Sequence, residues 1–345
     1  MVETRIQRLL EFIPDGCVGY LTAPPDMFYY SGFTGEGCLI LSKNLRVILT
    51  DGRYTEQAQR QAPGFQIVKT TNHGGFLKQL GKRVFFQGDH GVYSQIKKLE
   101  DAGLELIPFS VDFPSLRSVK DEEELKRLQK AAEIGERAYC EVLNFIKPGR
   151  TEREIAAFLD YTMVTNGAQK TSFDTISISG SNTSLPHGIP SDKQVQPGEF
   201  ITMDFGCIYE GYCSDMTRTV AIGHVTEEME KVYEIVKQAG DEAEKMLKSG
   251  VHCADGDARA RELIQQAGFG AYFVHSTGHG VGIEIHESPN LTPKSCSVLQ
   301  PGNVVTVEPG IYLPGKFGVR IENTVVIEQN CARPLQRTKK DLIIL

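Results

Sequence analysis

The segment EFITMDFGCIYEGYCSDMTRTVAIG, residues 199 to 223, constrains the fold more than any other part of this chain. It reads as two strands closing on a tight turn, with Glu210 and Gly211 at the centre of Tyr209 to Tyr212. That register sets Cys207 opposite Ser214, Gly206 opposite Asp215 and Asp204 opposite Thr217. Asp204 and Asp215 then share a face as diagonal neighbours, about 7 to 8 Å apart at the backbone, and Gly206 is expected to leave the space between them open. Ile201, Met203 and Phe205 make the flanking positions apolar. Two ionised carboxylates there repel, and burying them unpaired is prohibitive, so solvent or a cation must lie between them. A solvated acidic hairpin is the plainer alternative, and the apolar flanks argue against it.

Two later stretches repeat the theme. In NVVTVEPG, Glu308 closes an apolar run; in GVRIENTVVIE, Arg320, Glu322 and Thr324 alternate with Val319 and Ile321, as on one strand. A salt bridge is the ordinary reading of Glu322 beside Arg320. Ahead of both lies HSTGHGVGIEIHE, with His275 and His279 four residues apart, the spacing by which a helix aims two imidazoles at one zinc ion. Gly278, Gly280 and Gly282 would each cost a helix about 1 kcal/mol, and Val281, Ile283 and Ile285 alternate as in a strand. One strand face would then carry Gly280, Gly282, Glu284 and His286, with a bulky neighbour close to the backbone. Taken together, Asp204, Asp215, Glu308 and Glu322 offer four negative charges, which two divalent cations would neutralise, and His279 adds an imidazole. A set rich in oxygen and free of thiolate suits manganese, or cobalt or iron, better than structural zinc.

At 345 residues the chain is long enough for two domains. Its first hundred or so residues alternate strand-like runs (CLILS, RVILT, RVFFQG) with helical ones (YTEQAQRQA, SQIKKLEDAG), as in a small α/β domain. A break follows near Pro114, and the boundary is set at residues 1–117 and 118–345. The second part opens on a long helix closed by Lys147, Pro148 and Gly149. Thr151 to Glu154 has the form of a capping box for a second helix, and a third is expected between Thr226 and Lys248. The remainder is strands, so this part is α+β, with helices against an antiparallel sheet. A net charge of -7 argues against a nucleic-acid or anionic-membrane partner. No run reaches membrane-spanning length, and MVETRIQRLLEFIPDG lacks the apolar centre of a signal peptide, so the cytosol is the expected location. Eight cysteines without a C-x-x-C pair point to neither a disulfide framework nor a thiolate zinc site, and Cys207 and Cys213 read as small strand residues.

In their order and spacing, SLPHGIP, MDFG, YCSDMTRT, STGHGVGIEIHE, TVEPGIY and VRIENT resemble the pita-bread metallopeptidases, and among them the Xaa-Pro peptidases, aminopeptidase P and prolidase. FYYSGFTGE and NLRVILTDGRYTEQA resemble the smaller, creatinase-like amino-terminal domain of the same enzymes. The resemblance implies a pita-bread α+β catalytic domain, small peptide substrates, a homodimer, and two divalent ions, manganese before cobalt, iron or zinc. By position it makes Asp204, Asp215, His279, Glu308 and Glu322 the metal ligands. His187, His275 and His286 match the family's further histidines, expected to handle substrate, and Arg320 matches an arginine beside the last glutamate. Asp26, six residues before Gly32, falls where some aminopeptidase P enzymes carry an acid that pairs with that arginine, often from the neighbouring subunit. On local grounds a turn-forming Asp after Pro24 and Pro25 is the better reading.

The expected chemistry is hydrolysis assisted by two metals, which acidify the attacking water. Glu308 would carry a proton to the leaving nitrogen, and His286 or His187 would hold the carbonyl oxygen. FYYSGFTGE and TDGRYTEQA lean towards an aminopeptidase, although Glu36 stands where serine is more usual. A prolidase is the alternative, with Arg320 as a cation for the substrate carboxylate. A creatinase-like metal-free hydrolase and a catalytically dead binding module are more remote, because both lack ligands that this chain retains.

Overall fold

The computed structural model describes residues 2–345, which form two compact units that divide between Phe113 and Pro114. The break falls at the expected proline, and residues 114 to 117 group with the second unit.

The first unit is built on a six-stranded mixed sheet. Val18–Leu21 pairs antiparallel with Cys38–Ser42, which pairs antiparallel with Leu45–Thr50. Gln66–Lys69, Arg83–Phe86 and Glu105–Pro108 add parallel strands on the two sides. Val18, Tyr20, Ile40, Val47, Leu49, Leu77, Val84 and Leu99 form its buried core. The helical runs read from the sequence are Thr55–Gln61 and Tyr93–Asp101. The helix Pro24–Ser31 was not foreseen; it opens on two prolines, whose fixed φ suits a first turn. Asp26 therefore belongs to a helix and not to a connecting turn. Its buried carboxylate accepts a hydrogen bond from Gln87 Nε2 at 2.6 Å.

In the second unit every strand pair of the sheets is antiparallel. One three-stranded sheet joins Ile176–Ser179, Phe200–Phe205 and Met216–Ala221. A five-stranded sheet runs Glu287–Leu291, Gly278–Gly280, Val304–Val307, Asn323–Ile327 and Ala332–Pro334, and Gly310–Leu313 forms a hairpin with Phe317–Arg320. Period-two alternation sorts the strand residues. Ile201, Met203, Phe205 and Val220 enter a core with Ala131, Ile134, Ala138, Ile155 and Leu159 of the helices Glu122–Phe145 and Glu152–Thr165. Thr202 and Thr219 point the other way and hydrogen-bond to each other at 3.0 Å. A second core packs Val305, Val307, Ile311 and Val325 on Val232, Val236, Ala239, Ala260 and Ile264 of the helices Glu227–Met246 and Cys253–Gln266.

Local chemistry explains the helix starts. Asp121 and Thr151 each make a full capping box, with Glu124 and Glu154, and Thr226 caps the third helix; such caps contribute about 1 kcal/mol each. Cys253–Gln266 escaped the sequence reading because its buried stripe is Cys253, Gly256, Asp257, Ala260 and Ile264, too poor in large apolar residues to show a period. Among the described residues no helix is long and apolar enough to cross a membrane, and all eight cysteines are free.

Candidate metal centre

The hairpin of residues 200 to 221 carries its acids in the expected register. Tyr209 pairs with Tyr212, Ile208 with Cys213, and Asp204 with Thr217. Glu210 and Gly211 take the left-handed conformation at φ 45° and 82°, as a two-residue turn with primed geometry requires. Gly206 does not leave an open space, however. A Cβ there would lie 1.9 Å from the Ser214 carbonyl and 2.4 Å from Ser172 Oγ, so glycine is needed for contact between the strands themselves.

The histidine segment departs further from expectation. Its strand spans only Gly278–Gly280, and residues 281 to 286 bend before the chain resumes as Glu287–Leu291. The bulky neighbour close to Gly278 is the adjacent strand: a Cβ would lie 1.9 Å from the Thr306 carbonyl. The bend brings His286 back against His279, ring centroids 4.3 Å apart and nearly perpendicular. The last acid is also displaced from a continuous strand. Phe317–Arg320 ends in one sheet and Asn323–Ile327 begins in another, which leaves Glu322 in the gap between them.

These elements converge on one cleft of about 670 Å³, lined by Asp204, Asp215, His279, Glu308, Arg320 and Glu322 together with His187, His275 and His286. Asp215, His279 and Glu322 each offer a ligand atom within 4.8 Å of the others. His279 Nε2 lies 3.5 Å from Asp215 Oδ2 and 3.3 Å from Glu308 Oε1. Its Nδ1 is 3.1 Å from the Gly280 carbonyl, which places the proton there and turns the Nε2 lone pair towards the acids. Thr306 orients both partners: its Oγ1 accepts from the His279 amide at 3.0 Å and donates to Glu308 Oε1 at 3.1 Å. Thr324 Oγ1 and Gln336 Nε2 fix the Asp215 main-chain carbonyl at 2.9 and 2.8 Å.

Arg320 does not pair with Glu322. It donates to Asp204 Oδ2 at 2.7 Å, to Thr217 Oγ1 at 3.1 Å, and through Nη1 to the Tyr312 hydroxyl and the Pro186 carbonyl at 2.9 and 3.0 Å. Tyr312 in turn meets His275 Nε2 at 2.8 Å, while His275 Nδ1 meets the Ser276 carbonyl at 2.8 Å. Both nitrogens of His275 are therefore engaged, and burial pushes its pKa down to about 4. His187 and His286 stay exposed on the cleft wall. Tyr312, Thr217 and Thr306 were not singled out in the sequence. The signal for Tyr312 was a phenol at the end of the strand-like run TVEPGIY; Tyr312 is buried there, and a buried phenol needs a hydrogen-bond partner.

One guanidinium for four carboxylates leaves the centre strongly anionic. Burial, reinforced by mutual repulsion, raises the proton affinity of Asp215 and Glu322 well above the usual carboxylate range and pushes Glu308 up to about 7. Asp204 Oδ1 and Glu322 Oε1 are buried without a hydrogen-bond partner, although Asp204 Oδ2 has Arg320 and Glu322 Oε2 accepts from Thr217 Oγ1 at 2.7 Å. Buried carboxylate oxygens without donors, beside an imidazole with its lone pair turned inward, are what divalent cations satisfy. The residues present fit a divalent metal site.

Comparison with known proteins agrees with this chemistry. Residues 126–329 match the model of metallopeptidase family M24, and residues 15–119 match the creatinase/prolidase N-terminal domain. The chain is similar to the Xaa-Pro dipeptidase from Bacillus anthracis, at 39% identity and a TM-score of 0.96 over 100% of both chains. It is also similar to the X-Pro aminopeptidase from Thermotoga maritima MSB8, at 37% identity and a TM-score of 0.92 over 99% of this chain and 100% of that one. The Xaa-Pro dipeptidase of Pyrococcus furiosus is 34% identical over 99% of this chain and 100% of its own. A match that spans both units and carries a donor set fitted to divalent ions makes the chain a member of metallopeptidase family M24, a pita-bread metallopeptidase with a creatinase-type N-terminal domain.

Proposed function

We propose that this metallopeptidase is an Xaa-Pro dipeptidase, a prolidase, that works with two divalent ions, manganese foremost. The observation that carries the metal reading is the pair of donorless buried oxygens, Asp204 Oδ1 and Glu322 Oε1, in a cleft with Asp215, Glu308 and the inward lone pair of His279. The sequence leaned towards an aminopeptidase. The relatives move the weight to the dipeptidase, because two of the three compared above bear that name. An aminopeptidase remains the second reading, favoured by the 37% identity to the Thermotoga maritima enzyme. The homodimer that the family resemblance implies, and a cytosolic location, form part of the same proposal.

In this reading Asp204, Asp215, His279, Glu308 and Glu322 would hold the ions, whose chemistry would be to acidify a water and polarise the scissile carbonyl. Glu308 Oε1, 3.3 Å from His279 Nε2, takes the proton from the attacking water and delivers it to the leaving nitrogen. His187 and His286, exposed on the wall, hold the carbonyl oxygen and the substrate. The leaving nitrogen of an Xaa-Pro bond is a tertiary amide without N–H, so a cleft that asks for no hydrogen bond there accepts proline. Arg320 serves differently from expectation. Its contacts with Asp204, Thr217, Tyr312 and Pro186 commit four of its five N–H groups, so it orients Asp204 and leaves the substrate carboxylate to the exposed histidines. His275 braces Tyr312 through the same chain of hydrogen bonds.

The test is to strip the protein, reload it with manganese and follow Ala-Pro and Ala-Pro-Ala together by mass spectrometry. Cleavage of the dipeptide alone establishes the prolidase, and release of alanine from the tripeptide establishes the aminopeptidase. If two metals bind and neither peptide is cut, the Xaa-Pro assignment fails.

A further inference from the structure

A second group of charges in the catalytic unit lies outside the metal centre. Glu287 is buried and its carboxylate is clasped from both sides: Oε1 accepts from Arg117 Nε at 3.1 Å, and Oε2 from Lys120 Nζ at 3.0 Å. Both cations are themselves buried, and Arg117 also pairs with Glu284. Burial alone would lift the Glu287 carboxyl, but the Lys120 and Arg117 charges outweigh it and hold its pKa below the ordinary value.

The clasp sits at the foot of the bend that carries His286. Glu287 Oε1 also accepts from the Glu284 amide at 3.2 Å, and the Gly282 amide bonds to the Glu284 carbonyl at 3.0 Å. A Cβ at Gly282 would lie 2.2 Å from Glu287 Oε2, so the bend is wrapped tightly on this carboxylate. Its other side is anchored at Cys213, whose amide donates to the Gly282 carbonyl at 2.8 Å, two residues from Asp215. His286 has no hydrogen bond of its own to set its place among those described for the bend; its ring rests edge-on against His279. Where it stands is decided by the bend, and the bend by the carboxylate beneath it.

We propose that Arg117 and Lys120, acting through Glu287, are positioning residues of the reaction: they hold residues 281 to 286 so that the His286 ring stands beside His279 at the cleft. The kinetic half of this inference rests on the peptidase reading above, and the spectroscopic half does not.

The experiment compares Lys120→Met and Glu287→Gln with the parent full-length chain. Histidine 1H–13C spectra of the metal-free proteins read the place of His286, and steady-state rates of the manganese-loaded proteins on Ala-Pro and Ala-Pro-Ala read its consequence. The expected result is a displaced or broadened His286 resonance, with His73 and His90 of the first unit unmoved. The kcat should fall roughly 10- to 100-fold, as for a misplaced catalytic group, with two manganese ions still bound. In a His286→Ala background, Lys120→Met should cost no further kcat, a coupling that general destabilisation would not produce. Should Glu287→Gln fail to fold, Lys120→Met carries the test, because Arg117 still faces the acid. An unmoved His286 resonance overturns the proposal, and so does a loss of kcat that persists undiminished without His286. If neither peptide is cut by the parent enzyme, the peptidase reading fails, and the resonance alone still decides the positioning role.

Discussion

Two clusters of buried charge in the catalytic unit are built on opposite principles. Around Glu287, two cations and the Glu284 amide satisfy the buried acid, and no side-chain oxygen of Glu287 is left without a donor. Around Asp215 and Glu322, four carboxylates share one guanidinium, and two oxygens have no donor. The first cluster closes on itself and fixes a shape. The second is complete only with positive charge from outside the chain, and that imbalance marks it as the functional one.

The largest expected effect is on turnover: Asp215→Ala should lower kcat/KM by roughly 10³-fold or more and reduce manganese bound per chain, both measured on dialysed protein. Undiminished metal content would end the assignment of Asp215 as a ligand. Next comes one substitution made in both clusters of the metal-free protein. Glu287→Gln leaves two buried cations short of their anion and should destabilise by about 3–5 kcal/mol. Glu322→Gln relieves repulsion and should raise the melting temperature of the metal-free form; denaturant titrations with the same sign for both would erase the distinction. Metal supplies a third contrast. Manganese at 100 times its Kd should stabilise the parent by about 2.7 kcal/mol, with the gain largely lost in Glu322→Gln and kept in Lys120→Met.

A further effect, confined to acid pH, concerns His275. Its pKa is depressed to about 4, so the unfolded chain takes up a proton at higher pH than the folded one. The corresponding stability is present above about pH 6.5 and is lost as pH falls towards 4, by at most about 3 kcal/mol. His275→Asn should flatten the acid limb of the stability curve, and an unchanged limb would show that His275 does not carry it.

What could be read from residues alone tracks the range of the forces involved. The hairpin register was legible because the side-chain period of two and the Glu210–Gly211 turn are local, and the start of the helix after Thr151 was legible because its capping box is local. The convergence of Asp204, Asp215, His279, Glu308 and Glu322 followed from acids in apolar surroundings. The strand expected through residue 286 was not found, because the carboxylate of Glu287, clasped by residues over 160 positions away, folds the backbone of 282 to 284 around itself. Propensity in Val281, Ile283 and Ile285 does not register such a contact. The partner of Arg320 was not legible for a similar reason. Its neighbour along the chain is Glu322, but the chain changes sheets between them, and Asp204 lies closer in space.

That change of sheets has a mechanical side. Glu322 occupies a seam, with its amide bonded to the Thr217 carbonyl at 3.1 Å in one sheet and the strand Asn323–Ile327 beginning directly after it in another. A cation bound at once by Glu322 and by Asp215 would act as a rivet across that seam, so stiffness and metal content should rise together. Amide hydrogen exchange at Glu322 and Asn323 would then report loading without any substrate present, and a protein whose ions have been leached would be recognised first by a slackened joint between its sheets.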